Sequence, residues 1–322
     1  MDPAQILVIG GAVADLSLGP VDRTIFDHDS TPIDHISLST GGDALNEATT
    51  LAQLGHRVRL VTLLGQDPAG DYLLEQCRRA GLDCSTVVRD PQVATSVNAV
   101  LVDQAGERRF VTAKNTSIRR LGPEHTTPAL RHLEGVQIAS FASIFVSPRF
   151  GAQELETLFA ALHRRRILVC TDMTRPKNGE RAEDLAGALR YIDFFFANLE
   201  EGRMLTGEST PETITQRLVD CGVRYVVLKL GADGCYYRFD NWSSYVPAYP
   251  GCRCVDTTGA GDTFVAAFLH GLLWGIPRWR CAAFANAAAS VCVEHTGSAS
   301  DALDPEEIER RTAVICQCLG SE

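Results

Sequence analysis

The stretch Asp256-Thr257-Thr258-Gly259-Ala260-Gly261-Asp262-Thr263-Phe264 leads directly into an apolar helical segment. Its small residues Gly259, Ala260 and Gly261 let the backbone approach a ligand closely, and the unpaired amides of the helix start would point at that ligand. An anion bound there would sit at the positive end of the helix dipole. The stretch therefore predicts an anion hole at residues 259–261, although a glycine turn before a helix can also be purely structural.

A carboxylate, Asp262, follows this predicted anion hole. Because a carboxylate at this position would repel a bound anion, its presence indicates that it has another task. Phosphoryl transfer provides that task, because a base must take the proton of the attacking hydroxyl while fixed donors stabilise the transferred group. We therefore expect Asp262 to be the catalytic base of a kinase.

The segment DTTGAGDTF resembles the second signature of the PfkB family, the ribokinase-like carbohydrate and nucleoside kinases. The resemblance implies ATP-dependent phosphorylation of a hydroxyl of a small sugar, ketose or sugar acid, with Asp262 as base and residues 259–261 as anion hole. It spans the whole chain and implies a single α/β domain over residues 1–322. That domain would be a ribokinase-like three-layer α/β/α unit with a small β-sheet lid over the sugar.

Two further segments fit the sugar side of that family. Gly41-Gly42-Asp43-Ala44-Leu45-Asn46 is similar to the first signature, in which the glycine pair and the Asn bind sugar hydroxyls. The resemblance thus implies roles for Gly41, Gly42 and Asn46. Asp15, just after the first predicted strand, falls where these kinases place a carboxylate that accepts two hydroxyl hydrogen bonds. Taken alone, Asp15 would be a loop residue and Asn46 a helix-surface residue.

The nucleotide side rests on two weaker resemblances. Asn198-Leu199-Glu200-Glu201 resembles the Asn-x-x-Glu motif, which implies that Glu201 orients Mg²⁺ through water. An Asn before an acidic helix is, taken alone, simply an N-cap. The segment Lys229-Leu230-Gly231-Ala232-Asp233-Gly234 follows an apolar strand and resembles the turn that these kinases place beside the nucleotide. Asn286, in the penultimate predicted helix, is a weaker candidate for the adenine pocket. The nucleotide-binding candidates are Asn198, Lys229, Gly231, Gly234 and Asn286, with ATP and Mg²⁺ as cofactors.

A monovalent-cation site is also implied. Many relatives are activated by K⁺ bound beside the anion hole, partly through the carboxylate that opens the second signature. Asp256 holds that position, and the polar turn at residues 297–301 could supply the far wall. The alternative is that Asp256 merely ends a strand, and the sequence leaves both possibilities open.

Strands and helices alternate along most of the chain, which predicts βαβ units and a parallel sheet. Residues 57–64, for example, are expected to form a single strand. One interval breaks this alternation, because the β-rich runs 96–102 and 107–112 are joined by Asp103-Gln104-Ala105-Gly106 and predict a hairpin. Together with segments 16–20 and 33–39, the hairpin is expected to form the lid. The resemblance also implies a homodimer formed through this lid.

Composition excludes several classes of protein. The net charge of −10 argues against a nucleic-acid partner, since such a partner requires a basic surface. No Gly-Lys-Ser or Gly-Lys-Thr occurs, which excludes a P-loop, and the motifs of protein kinases are absent from the sequence. The apolar stretches are too short or too interrupted for a membrane span. The eleven cysteines lack zinc-site spacing and indicate reduced thiols in a cytoplasmic protein.

The substrate is less well defined than the reaction. Gly-Gly-Asp at residues 41–43 looks more like 2-keto-3-deoxygluconate kinases than like ribokinases, which carry Gly-Gly-Lys. In the former, basic residues just after the hairpin meet the acidic end of the substrate, and Lys114 stands there; the alternative is a solvated lysine. A nucleoside kinase is the second candidate, but the segment 110–116 is more polar than a base-stacking surface. A non-catalytic sugar sensor on the same fold is the third.

Overall fold

The structure is a computed structural model that describes residues 4–297 and 303–319. The strands of this part of the chain are Ile6–Ile9 (β1), Val13–Gly19 (β2), His35–Gly41 (β3), Val58–Val61 (β4), Leu63–Gly65 (β5), Val88–Asp90 (β6), Val97–Val102 (β7), Arg108–Thr112 (β8), Ile138–Ile144 (β9), Leu168–Met173 (β10), Phe194–Asn198 (β11), Tyr225–Lys229 (β12), Cys235–Phe239 (β13) and Trp242–Val246 (β14). The α-helices are Asp43–Gln53 (α1), Pro68–Arg79 (α2), Ser117–Arg120 (α3), Pro123–Thr126 (α4), Ala152–His163 (α5), Ala186–Leu189 (α6), Leu199–Thr206 (α7), Pro211–Asp220 (α8), Ala260–Leu273 (α9), Arg278–Cys292 (α10) and Pro305–Leu319 (α11).

The centre of the molecule is an eight-stranded sheet in the order β14-β13-β12-β11-β10-β9-β1-β4. Its strands are parallel except for β13 and β14, which form an antiparallel pair at one edge. Parallel strands covered on both faces are apolar on both faces. In β1, Ile6 and Val8 enter one hydrophobic cluster, whereas Leu7 and Ile9 enter the other.

Helices cover both faces of this sheet. Helices α1, α9, α10 and α11 contribute to the first cluster, for example through Phe268 and Phe284. Helices α5 and α8 contribute to the second, for example through Leu158 and Ile214. The predicted three-layer α/β/α architecture is confirmed.

A second sheet, which we call the lid sheet, has the order β3-β2-β7-β8. Strand β2 pairs antiparallel with β3 and parallel with β7, and β7 and β8 form a hairpin across residues 103–107. The first lid strand begins at Val13 rather than at residue 16, so Asp15 lies inside a strand and not in a loop. The reason is that the backbone pairs with β3 from Val13 onward and with β7 from Ala14 onward.

One predicted strand is divided in two. The sequence suggested a single strand over residues 57–64, but the chain leaves the large sheet after Val61, and Leu63–Gly65 pairs with Val88–Asp90 instead. Within residues 4–297 and 303–319, no helix combines the length and the apolar character needed to cross a membrane.

Candidate active site

The first turn of α9 carries the predicted anion hole. Gly259 is its N-cap with φ of 76°, a left-handed conformation that glycine adopts without strain. The amide of Ala260 donates to the Thr257 carbonyl at 3.2 Å, so it is directed back into the loop. The outward donors of this turn are therefore the amides of Gly261 and Asp262, which precede the first intrahelical hydrogen bonds.

The carboxylate of Asp262 is held by an amide from the first signature. Asn46 Nδ2, on α1, donates to Asp262 Oδ2 at 2.8 Å, which fixes one oxygen of the carboxylate. Burial, followed by the negative charge of Asp43, raises the pKa of Asp262 well above its usual range. A carboxylate with a raised pKa is a stronger proton acceptor once it is ionised.

A buried ion pair lies behind the anion hole. Lys229, at the end of β12, binds Asp172, at the end of β10, and their side chains are 15% and 8% exposed. Burial would lower the pKa of Lys229, but the charge and hydrogen bond of Asp172 outweigh it and raise that pKa. A Cβ added to Gly261 would lie 3.3 Å from Lys229 Nζ, so the ammonium adjoins the first turn of α9.

Asp15 and the first glycine of the Gly-Gly pair occupy the lid side of the cleft. Asn98 Nδ2 donates to Asp15 Oδ1 at 2.8 Å, because strands β2 and β7 place the two residues directly opposite each other. Burial raises the pKa of Asp15, opposed by this hydrogen bond and by Arg108. A Cβ on Gly41 would lie 2.1 Å from Asp15 Oδ2, so only glycine leaves room for the carboxylate.

The Asn-x-x-Glu segment forms a helix cap. Asn198 Oδ1 accepts from the Glu201 amide at 2.8 Å, and Glu201 Oε2 accepts from the Asn198 amide at 2.9 Å. This is the reciprocal capping box of α7. Burial raises the pKa of Glu201, with Asp172 adding to the effect. Glu201 therefore faces the same cluster of charges as Asp262, although its backbone cap is its direct contact.

The acidic groups of the cleft do not form a direct metal cage. Among the residues that the structure describes, no three His, Cys, Asp or Glu side chains converge on a point that could hold a metal ion. Mg²⁺ keeps several waters and commonly binds through substrate phosphates and one or two carboxylates. The arrangement thus fits a nucleotide-borne Mg²⁺ that Glu201 and Asp172 would contact through water.

A cavity of about 630 Å³ opens on the other side of the α9 N-terminus. Its volume suits a ligand of nucleotide size. One wall is largely apolar and includes Tyr249, Pro250 and Val293. All five nucleotide-binding candidates line it, together with Gly261 of the anion hole: Asn198, Lys229, Gly231, Gly234 and Asn286.

Asn286 has a more restricted role than the sequence suggested. Its Nδ2 donates at 3.0 Å to the carbonyls of Val246 and Pro247, at the end of β14. The amide nitrogen therefore braces the wall of the cavity, and only its oxygen is left for a ligand. Adenine contact through Asn286 stays a prediction.

Two other residues predicted for the site, Lys114 and Asp256, have different surroundings. Lys114 is exposed, two residues beyond the end of β8. Asp256 binds Arg108 of the lid sheet and the amide of Gly297. Residues 298–301 of the predicted cation-site wall lie outside the described residues.

Sequence reasoning missed three polar residues of the site: Asn98, Arg108 and Asp172. Asp172 could have been predicted, because it lies near the end of an apolar strand, at the edge of the sheet where parallel α/β folds bind ligands. Asn98 is a polar residue in a β-rich run, and its importance depends on its register with Asp15. Arg108 had no local signal at all.

Glu47, next to Asn46, is 1% exposed and supports a prediction about stability. Burial raises its pKa from 4.5 to about 8. The folded chain then binds a proton that the unfolded chain has released between these values, so stability should fall as pH rises from 5 to 8.5. Each unit of pKa difference corresponds to about 1.4 kcal/mol. Glu47→Gln should remove this dependence and raise the thermal midpoint at pH 8.5 by several degrees relative to wild type.

Thermal unfolding at pH 5 and pH 8.5 tests this expectation. Glu75→Gln is the matched control, because Glu75 is an exposed residue of α2 paired with Arg79. Wild type and Glu47→Gln should differ at pH 8.5 and converge at pH 5. A constant offset between them at both pH values would show that Glu47 is not protonated in the folded chain.

Comparison with known proteins identifies relatives along nearly the whole chain. The family model described as pfkB family carbohydrate kinase matches residues 3–305. The 2-dehydro-3-deoxygluconokinase of Haemophilus influenzae is 27% identical over 278 residues, covering 82% of this chain and 88% of the relative. The enzyme of the same name from Bacillus subtilis is 26% identical over 275 residues, covering 81% and 82%.

Solved structures agree with the fold. The structure of Arabidopsis thaliana ribokinase complexed with ribose and ATP has a TM-score of 0.81 at 23% identity, covering 97% of this chain and 99% of that one. Ribokinase from Thermotoga maritima has a TM-score of 0.79 at 24% identity, with coverage of 96% and 99%. At these identities the likeness shows the fold.

Proposed function

This chain belongs to the pfkB family of carbohydrate kinases, and we propose that it transfers the γ-phosphoryl group of ATP to a hydroxyl of a small sugar, ketose or sugar acid, with Asp262 as general base. The observation that carries this proposal is the position of Asp262. It lies at the N-terminus of α9, held by Asn46 and next to Lys229, between the lid-side cleft and the nucleotide-sized cavity.

The sugar would bind between the lid sheet and α1. Asp15 and Asn98 offer a carboxylate and an amide to its hydroxyls, and the absence of a side chain at Gly41 keeps the carboxylate accessible. One hydroxyl would lie within hydrogen-bond reach of Asp262 Oδ1, since Oδ2 is held by Asn46. In the transfer, the hydroxyl proton moves to Asp262, the new O–P bond forms, and the bond to the departing ADP breaks.

The transferred group develops its charge at the first turn of α9. The backbone amides of Gly261 and Asp262 and the ammonium of Lys229, which adjoins this turn, would stabilise that charge. The nucleotide would occupy the cavity lined by Gly231, Gly234 and Asn286. Mg²⁺ would neutralise the phosphate oxygens, with Glu201 and Asp172 reaching it through water.

An ADP-release assay over a panel of substrates tests the proposal. Sugar acids, ketoses and aldoses should stimulate ADP release, and nucleosides should not. Faster turnover of a nucleoside than of any sugar would identify a nucleoside kinase instead. No stimulated release with any member of a broad panel would favour the sugar sensor.

Lys114 supports a narrower prediction about substrate class. If it meets the carboxylate of an acidic sugar when that substrate binds, the charge-assisted contact contributes roughly 1.5–3 kcal/mol. Lys114→Met should then raise KM for a sugar acid by about tenfold or more and leave KM for neutral sugars nearly unchanged. Steady-state kinetics with both substrate types provide the measurement.

Other outcomes assign Lys114 a different role. Equal losses on acidic and neutral sugars would indicate damage to the lid sheet. No loss on either would mean that the ammonium stays solvated, in keeping with its exposure. Lys114→Arg keeps the charge and should recover most of the affinity for the acid.

We also propose a homodimer formed through the lid sheet. The face of this sheet opposite Asp15 is apolar and exposed at both edges, with Ile36 63%, Leu38 49% and Val111 57% exposed. An apolar sheet face of this kind is a typical interaction surface, and a second copy would cover it symmetrically. Light scattering should give twice the chain mass of 35.0 kDa.

Leu38→Asp should shift the protein to monomers by placing a charge in this interface. Trp242→Asp is the control, because Trp242 is 79% exposed on β14, outside the lid sheet. A monomeric wild type at micromolar concentration would exclude the dimer.

The compartment is proposed to be the cytoplasm. Within residues 4–297 and 303–319 the eleven cysteines form no disulfide, and five of them are buried: Cys77, Cys170, Cys235, Cys281 and Cys292. Such thiols are typical of a reducing compartment.

A further inference from the structure

A side chain from the lid sheet reaches the loop that forms the anion hole. Arg108 Nη2, at the start of β8, lies 2.6 Å from Asp256 Oδ2, and the two side chains are 19% and 11% exposed. Its Nη1 donates to Thr258 Oγ1 at 3.1 Å. The guanidinium thus binds two residues of the loop immediately before Gly259.

Asp256 uses both carboxylate oxygens fully. Oδ1 accepts from the amide of Thr258 at 3.0 Å and from its hydroxyl at 2.7 Å. Oδ2 accepts from the amide of Gly297 at 2.6 Å and from Arg108. Each carboxylate oxygen has about two acceptor positions, so all four are occupied by protein donors.

These contacts decide whether the residues fit a monovalent cation. Such an ion needs oxygen ligands that present unshared lone pairs. Donors of the described residues use both carboxylate oxygens of Asp256 fully, so Asp256 offers no unshared lone pair to an ion. The hydroxyl oxygen of Thr258 also accepts a hydrogen bond from Arg108. A cation at Asp256 would in addition meet the positive guanidinium at contact distance. The described part of the site therefore does not fit a monovalent ion.

We propose that the Arg108 guanidinium is the resident cation of the Asp256 loop, so that phosphoryl transfer by this chain is independent of potassium. The proposal rests on the kinase function proposed above. Arg108 is a positioning residue. It holds Asp256 and Thr258, and thereby fixes the backbone amides of the turn that follows them. Because Arg108 belongs to the lid sheet, the loop receives its counter-charge from the same sheet that carries Asp15 and Asn98.

The test compares wild type, Arg108→Met and the control Arg109→Met in potassium chloride and in tetramethylammonium chloride at equal ionic strength. Arg109 is the adjacent residue of β8, with its side chain 73% exposed. Turnover and the thermal midpoint are measured in both salts. Wild type and Arg109→Met should show equal turnover within twofold and equal midpoints in the two salts.

Arg108→Met vacates one acceptor position of Asp256 and removes the guanidinium. In tetramethylammonium its kcat should fall about tenfold or more, and its midpoint should fall. Potassium should recover part of both, because the vacated oxygen can now take an ion. A general structural defect would lower both values equally in the two salts.

Three results would overturn the proposal: wild-type turnover stimulated more than twofold by potassium, a wild-type midpoint raised specifically by potassium, or an Arg108→Met enzyme as active as wild type in tetramethylammonium. The wild-type comparison decides the matter even if Arg108→Met does not fold. Failure of the kinase proposal is distinguishable, since it would appear as no turnover in either salt, while the midpoints would still report on the cation.

Discussion

Replacing Asp262 by Asn should lower kcat by about 10²–10⁴-fold, the range typical of losing a general base. Asn preserves the shape of the side chain and can remain near Asn46, but its amide cannot accept the hydroxyl proton. The affinity for nucleotide should stay close to that of wild type, because the backbone amides of residues 261 and 262 and the lining of the cavity are unchanged.

The pH profile distinguishes a base from a residue that only shapes the cleft. Burial and the charge of Asp43 raise the pKa of Asp262. In the proposed mechanism the reactive form is the ionised carboxylate, so wild-type kcat/KM for the sugar, which reports ionisations of the free enzyme, should fall as pH drops through that raised pKa and level off above it. The Asn variant should lack this limb. Turnover by Asp262→Asn within about threefold of wild type would show that another group takes the proton.

Much of the central fold was predictable because its determinants are local. Continuous apolar runs such as residues 225–228 identify strands buried on both faces, and the alternation with helices implies parallel pairing. The single strand predicted over residues 57–64 was wrong because its division depends on a distant partner, Val88–Asp90. The residues around Thr62 show no pattern that indicates pairing with this distant strand.

The candidate site divides in the same way. The glycines and the carboxylate of residues 259–262 could be identified as candidates because the proposed anion hole and the proposed base are contiguous in the chain. The contacts that orient them could not be predicted, because Asn98 reaches Asp15 only through strand register and Arg108 reaches from the lid sheet to Asp256 in the loop before α9. Even Gly41 is explained by a distant atom, the Asp15 carboxylate, rather than by its own backbone conformation.

The second large effect concerns Lys229. Lys229→Met should lower kcat by roughly 10²–10³-fold, the usual consequence of removing one preorganised donor from a developing charge. It should also lower the free energy of unfolding by about 3–5 kcal/mol, because breaking a buried pair leaves Asp172 as an unpaired buried charge. The two losses have different causes and can be separated.

The double variant Lys229→Met with Asp172→Asn separates them. The neutral amide at residue 172 removes the unpaired charge, so most of the lost stability should return while kcat stays low. Recovery of kcat together with stability would mean that Lys229 serves only to pair Asp172.

Steady-state constants then assign the step at which the ammonium acts. If Lys229 bound the nucleotide equally in the ground state and in the transition state, the loss would appear in KM for ATP with kcat unchanged. We expect the opposite, because Lys229 Nζ adjoins Gly261 at the first turn of α9, next to the base. In the proposed reaction the charge on the transferred phosphoryl group grows at that turn only as the bond to ADP breaks, so we expect the ammonium to contribute most in the transition state.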